Sequence, residues 1–137
     1  MNILKVLTKQ RKIGDIGEAA AAKHLKKNGY KILERNYVAA GAEIDIIAEN
    51  REYTVFAEVK TRTYAPGGTN KESRPAAAVN YEKQSTIIKV AKCYLAYNKK
   101  DKRVRFDILE IYLDKDGKIA KINHIENAFR QERRTFQ

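Results

Sequence analysis

The stretch Glu43–Lys60, EIDIIAENREYTVFAEVK, decides how the rest of the chain is read. It holds two runs rich in Ile, Val, Phe, Thr and Tyr, Glu43 to Ala48 and Glu52 to Lys60, separated by the polar Glu49-Asn50-Arg51. β-branched and aromatic residues favour extended backbone, so the two runs predict a hairpin of neighbouring strands. Alternate side chains on a strand share a face, which puts Glu43 with Asp45 and Glu58 with Lys60. A two-residue turn at Asn50-Arg51 would pair Glu49 with Glu52 and Asp45 with Phe56, and would set Glu43 directly opposite Glu58. All four charged residues then occupy one face. In that register the Glu43 and Glu58 Cβ atoms are about 5 Å apart and Asp45 lies diagonally from Glu58 at roughly 7–8 Å. A turn longer by one residue would separate Asp45 from Glu58 unless a bulge intervened.

Like charges across a sheet repel, and these carboxylates sit among Ile44, Ile46, Ile47, Val55, Phe56, Ala57 and Val59. Charge in such central strands is costly unless it is paired or metal-bound. A divalent cation, the Lys60 ammonium or a proton on one carboxyl group would each offset the repulsion. Mg²⁺ suits oxygen ligands and retains waters that phosphate oxygens can replace. Solvent-facing carboxylates on an ordinary hairpin are the alternative.

Upstream, Arg11 to Asn28 has helical spacing, with Ile13, Ile16 or Gly17, Ala20 or Ala21, His24 and Leu25 near one face, and Asn28-Gly29 ends it. Tyr30 to Tyr37 predicts a short strand. Downstream, Thr61 to Arg74 loses all periodicity and contains Pro66, Gly67 and Gly68, the composition of a long, mobile loop. A second helix is predicted over Tyr81–Asn98, capped by Asn80, with Ile87, Ile88, Ala91, Tyr94 and Leu95 inward. Val104 to Leu113 and Lys118 to Ile125 form a second hairpin about Asp116-Gly117. The fold class is therefore α/β, a central mixed sheet with helices packed on it.

A chain of 137 residues with 43% hydrophobic content is expected to form one domain, with residues 1–10 and 130–137 frayed. No segment reaches membrane-spanning length and the first residues lack a signal peptide's apolar run, so no membrane partner and a cytoplasmic location are expected. Cys93 is the one cysteine, and neither His24 nor His124 lies at zinc-ligand spacing from it. With 28 Lys+Arg against 17 Asp+Glu, the net charge of +11 favours a polyanionic partner, nucleic acid before anionic lipid.

Glu43-Ile44-Asp45, twelve residues, then Glu58-Val59-Lys60 resembles the acidic residue plus E-x-K signature of the restriction-endonuclease-like superfamily. With Gly14-Asp15-Ile16-Gly17-Glu18, Phe56-Ala57-Glu58-Val59-Lys60-Thr61-Arg62, Lys83-Gln84 and Arg105-Phe106-Asp107, the chain resembles the YraN-like family of uncharacterised bacterial proteins from about Gly14 to Phe129. That family is regarded as distantly similar to archaeal Holliday-junction resolvases. Its members commonly have Gly immediately before the first strand's Glu, where this chain has Ala42.

The resemblance implies an αβββαβ nuclease core in which Asp45, Glu58 and the Val59 carbonyl bind Mg²⁺ or Mn²⁺, with Glu43 adjacent. Lys60 would orient or deprotonate the attacking water, Glu18 would bring an additional acid, and Lys83 at a helix start would meet phosphate. Glu18 reads equally as a solvent-facing helical residue, Lys83 and Arg62 as solvated charges, and Asp107 as a supporting partner or an edge position. Tyr64, in the long loop, is a candidate for stacking on a base. The leading expectation is a metal-dependent endonuclease acting on DNA, branched DNA by resemblance. The rivals are a non-catalytic nucleic-acid-binding module on the same fold and an assembly factor for an acidic partner. Symmetric cutting of two strands needs two sites, which makes a homodimer an expectation without an identifiable interface.

Overall fold

The computed structural model describes residues 2–63 and 79–131. In chain order these form α1 (Ile3–Lys27), β1 (Lys31–Ala39), β2 (Ala42–Glu49), β3 (Tyr53–Thr63), α2 (Tyr81–Asn98), β4 (Arg103–Leu113) and β5 (Ile119–Phe129). The five strands make one sheet in sequential order. Short connections leave β1–β2, β2–β3 and β4–β5 antiparallel, whereas the long crossover through α2 brings β4 parallel to β3. This is the mixed α/β architecture of a restriction-endonuclease-like core, with β5 added at the edge.

Each face of the sheet carries its own apolar cluster. Ala21 and Leu25 of α1 pack with Ile46, Ala48, Val55, Leu109 and Ile111. Ile87, Val90, Ala91 and Tyr94 of α2 pack with Ile47, Phe56, Phe106 and Ile108. Central β3 is covered on both sides, which accounts for its unbroken buried run from Thr54 to Glu58.

The second helix has the predicted limits, and the Asn80 side chain accepts the Lys83 N–H as its cap. The first helix starts earlier than its periodicity predicts. Asn2 caps it and Ile3 is its first residue, so most of the segment expected to fray is helical. Ile3, Leu4 and Leu7 are exposed there, so the early turns lack the buried stripe that marks a helix in sequence. At the far end Gly29, at φ 90°, takes the left-handed conformation and the Tyr30 N–H reaches back to the Leu25 carbonyl. Gly17 lets α1 approach β3: an added Cβ would stand 1.8 Å from Thr61 Oγ1.

The predicted β2–β3 register is corrected by the turn. The Asn50 side chain accepts the Glu52 and Tyr53 N–H groups at 3.0 and 2.8 Å, closing a four-residue loop in place of a two-residue one. Glu49 therefore pairs with Thr54, not Glu52, and Phe56 stands opposite Ile47, not Asp45. The displacement is two residues, an even number, so side chains keep their faces along the paired stretch Ile46 to Glu49. Beyond it the alternation breaks across Asp45: Ile44 packs with Ile47 on the α2 side, whereas Ile46 and Ala48 pack on the α1 side. Of the predicted loop 61–74, Thr61 to Thr63 extend β3; Tyr64 lies outside the described residues.

Candidate active site

The β2–β3 ladder runs from Glu49–Thr54 to Ile46–Ala57. The ladder ends there, and just beyond it Asp45 lies near Glu58, held by the β3 backbone and not by a ladder pair. Here the Val59 N–H donates to Asp45 Oδ2 at 2.8 Å. Glu58 is buried, 7% exposed, and its Oε2 has no hydrogen-bond partner among the described residues. Lys83 Nζ lies 4.0 Å from that oxygen. Burial first, then the charge of Asp45 and a hydrogen bond with it, push the Glu58 carboxyl up to about 8, against the opposing pull of Lys83 and Lys60. Without a cation, Glu58 is protonated at neutral pH.

Glu18 reaches the same region from α1. Burial, followed by the charge of Asp45, raises its carboxyl, with Arg35 opposing and Glu43 and Asp15 adding. With its amide oriented to donate, Asn36 Nδ2 joins Glu18 Oε1 and Glu43 Oε1, each at 2.9 Å. Glu43 itself is exposed and meets the site through this bridge. Half-buried Lys60, with Gln10, Gly14, Glu18, Val59 and Thr61, lines a cavity of about 320 Å³ between α1 and β3.

The structure thus gathers Asp45, Glu58, Lys60, Lys83 and Glu18, with Glu43 at the margin. It engages Arg62 elsewhere, with Nε 3.5 Å from Oε2 of the fully buried Glu110. Asp107 belongs to the α1 side of the sheet, where Arg105 donates to it twice, at 2.9 and 2.8 Å, His124 Nε2 lies at 2.7 Å and the Asn127 N–H donates at 3.0 Å. Two contributors escaped sequence reading. Gly17 was visible as a glycine within a helix, and Asn36 as an asparagine, a poor strand former, within β1, where it adopts φ 53°.

Among the described residues no group of three His, Cys, Asp or Glu side chains closes around one point. Two carboxylates are nevertheless a sufficient protein contribution for Mg²⁺, which keeps waters and takes substrate phosphate oxygens for the remainder. The buried Glu58 oxygen beside Asp45, which has the Lys83 ammonium at 4.0 Å but no hydrogen-bond partner among the described residues, fits that demand, because a cation would complete its pairing.

Residues 17–111 match the profile of the uncharacterised protein family UPF0102. A UPF0102 protein of Caldanaerobacter subterraneus subsp. tengcongensis is 44% identical over 122 residues, covering 88% of this chain and 96% of that one. One from Alkaliphilus oremlandii is 48% identical over 122 residues, covering 87% and 98%, and one from Flavobacterium johnsoniae 39% over 127 residues, covering 90% and 98%.

Proposed function

The chain belongs to the uncharacterised protein family UPF0102, and we propose that it is a metal-dependent endonuclease hydrolysing nucleic-acid phosphodiesters, with DNA as the first substrate. The observation that carries this reading is the Asp45–Glu58 pair, whose buried Glu58 Oε2 has no hydrogen-bond partner among the described residues and faces Lys83. Asp45, Glu58 and the Val59 carbonyl are the groups that would hold Mg²⁺ or Mn²⁺. When bound, the ion supplies Lewis-acid polarisation of a phosphate oxygen.

The remaining chemistry falls to the chain's own side chains. Lys60 holds the attacking water and places positive charge where the phosphorane-like transition state accumulates negative charge. Lys83 neutralises a non-bridging phosphate oxygen at the start of α2, where the helix dipole has the same sign. Glu18, with its raised carboxyl and its Asn36 link to Glu43, accepts or returns a proton at the margin of the site. A branched DNA substrate and a homodimer presenting two such sites complete the proposal; both derive from likeness to junction resolvases.

The test is incubation of purified protein with labelled duplex, single-stranded and four-way-junction DNA in Mg²⁺ or Mn²⁺. The wild type is expected to cut, and Glu58→Ala and Lys60→Ala to cut roughly 10²–10⁴-fold more slowly. Cleavage at the wild-type rate by both variants overturns the assignment. Salt-sensitive binding with no cutting in any metal would make the chain a binding module on a nuclease fold.

A further inference from the structure

We infer that a groove on the flank of α2 is a second contact site for a nucleic-acid phosphate backbone, separate from the carboxylate pair. Tyr81, Gln84, Lys89 and Lys92 recur at helical spacing along one flank of α2, next to the buried stripe of Ile87, Val90, Ala91 and Tyr94. Arg130 and Gln131, just past β5, form the opposite wall. Between them lies a concavity of about 360 Å³ lined, among the described residues, by three cations and no carboxylate.

Among the described residues, several cations of the fold are held by carboxylates, and those of the groove are not. Lys83 faces Glu58, Lys100 and Lys102 face Glu49, Arg62 faces Glu110 and Arg105 faces Asp107. Lys89, Lys92 and Arg130 enter none of the salt bridges among the described residues. Lys89 and Lys92 are three residues apart on the helix, a spacing at which like charges repel, and Arg130 adds a third. A polyanion in the groove relieves that repulsion. The polar Gln84 and Gln131 amides suit phosphate oxygens, and the exposed Tyr81 ring stands where a base or sugar can lie against it. Lys83 and Lys92 are nine residues apart, about 13 Å along the helix axis and half a turn around it, so the groove lies on a different side of α2 from Lys83 and Glu58.

The inference rests on the reading of this chain as a nucleic-acid protein but not on its catalysis, and the test separates the two. Anisotropy of a fluorescein-labelled duplex would be measured in EDTA at several salt concentrations. The probe would be added to wild type, to Lys89→Ala/Lys92→Ala/Arg130→Ala, and to Lys23→Ala/Lys26→Ala/Lys27→Ala, which removes equal charge from exposed positions on α1. Circular dichroism confirms that all three are folded. The groove variant is expected to bind at least tenfold more weakly, with its slope of log K against log salt reduced by about 2–3, and the α1 variant to match wild type. Equal losses in the two variants, or no loss in the groove variant, overturn the inference. So does a groove variant that loses affinity only for vesicles of phosphatidylserine and phosphatidylcholine, which would assign the groove to lipid headgroups. Wild-type binding through the groove without cleavage in Mn²⁺ would sink the nuclease reading and leave the groove standing.

Discussion

Glu58 keeps a proton at neutral pH because burial and the neighbouring Asp45 both oppose its ionisation, and this has a measurable sign. A carboxyl raised in the folded state to about 8 binds more protons there than in the unfolded chain, so metal-free stability falls as pH rises from the ordinary carboxylate range toward about 8. The slope attributable to this one proton is at most about 1.4 kcal/mol per pH unit. Urea denaturation between pH 5 and 8.5 should therefore show a decline that Glu58→Gln removes. A cation at Glu58 must displace the same proton, so the apparent Mn²⁺ affinity is expected to tighten with pH until about 8 and then level off. Titration calorimetry in buffers of different ionisation enthalpy would register the released proton. Asp107 behaves oppositely. Burial pushes its carboxyl up, but hydrogen bonds from His124, Arg105 and the Asn127 N–H hold it below the usual range. Its contribution is present above the unfolded carboxylate value and lost as pH falls through the depressed one. Asp107→Asn takes the nearest charge from the buried Arg105 guanidinium and leaves it Glu126 at 3.5 Å and the Tyr30 hydroxyl, an expected loss of about 1–3 kcal/mol in urea-derived stability.

Among the elements, the approach of α1 to β3 is the one on which the site depends. It brings Glu18 beside Asp45, and it exists because Gly17 has no side chain to meet Thr61. Gly17→Ala is expected to destabilise by roughly 1–3 kcal/mol and to slow any cleavage, since α1 must withdraw. Thr61→Ala in the same chain removes the Oγ1 that the new methyl meets and should restore part of both losses. A double-mutant cycle on stability would show that coupling, and strictly additive effects would exclude the contact as the cause. The β2–β3 hairpin makes a different contribution. Its composition made the two strands legible, while its turn length depended on one side chain, Asn50, that can close loops of more than one size.

At the scale of the whole molecule, two apolar clusters on opposite faces of one sheet supply the core without a cation. EDTA is expected to leave the far-UV circular dichroism unchanged. Mn²⁺ at a hundredfold excess over its dissociation constant should stabilise the fold by about 2.7 kcal/mol, seen as a rise in Tm that Glu58→Ala abolishes. An equal rise in the variant would place the ion elsewhere. Of the cations that favoured a polyanionic partner in the sequence, Arg62, Lys83, Lys100, Lys102 and Arg105 are paired in the fold, and those on the flank of α2 are among the described ones that enter no salt bridge. Element order and the limits of α2 were determined by the sequence alone, because periodicity is local and survives a register change of two residues. Tertiary structure alone decided the β2–β3 register and the seating of Asp45 on the Val59 N–H. It also decided that Asn36 bridges Glu18 and Glu43, that Lys83 comes within 4.0 Å of Glu58 and that Arg62 turns to Glu110. Those outcomes depend on turn closure and on which surfaces bury against one another, contacts between residues far apart in the chain that no local pattern encodes.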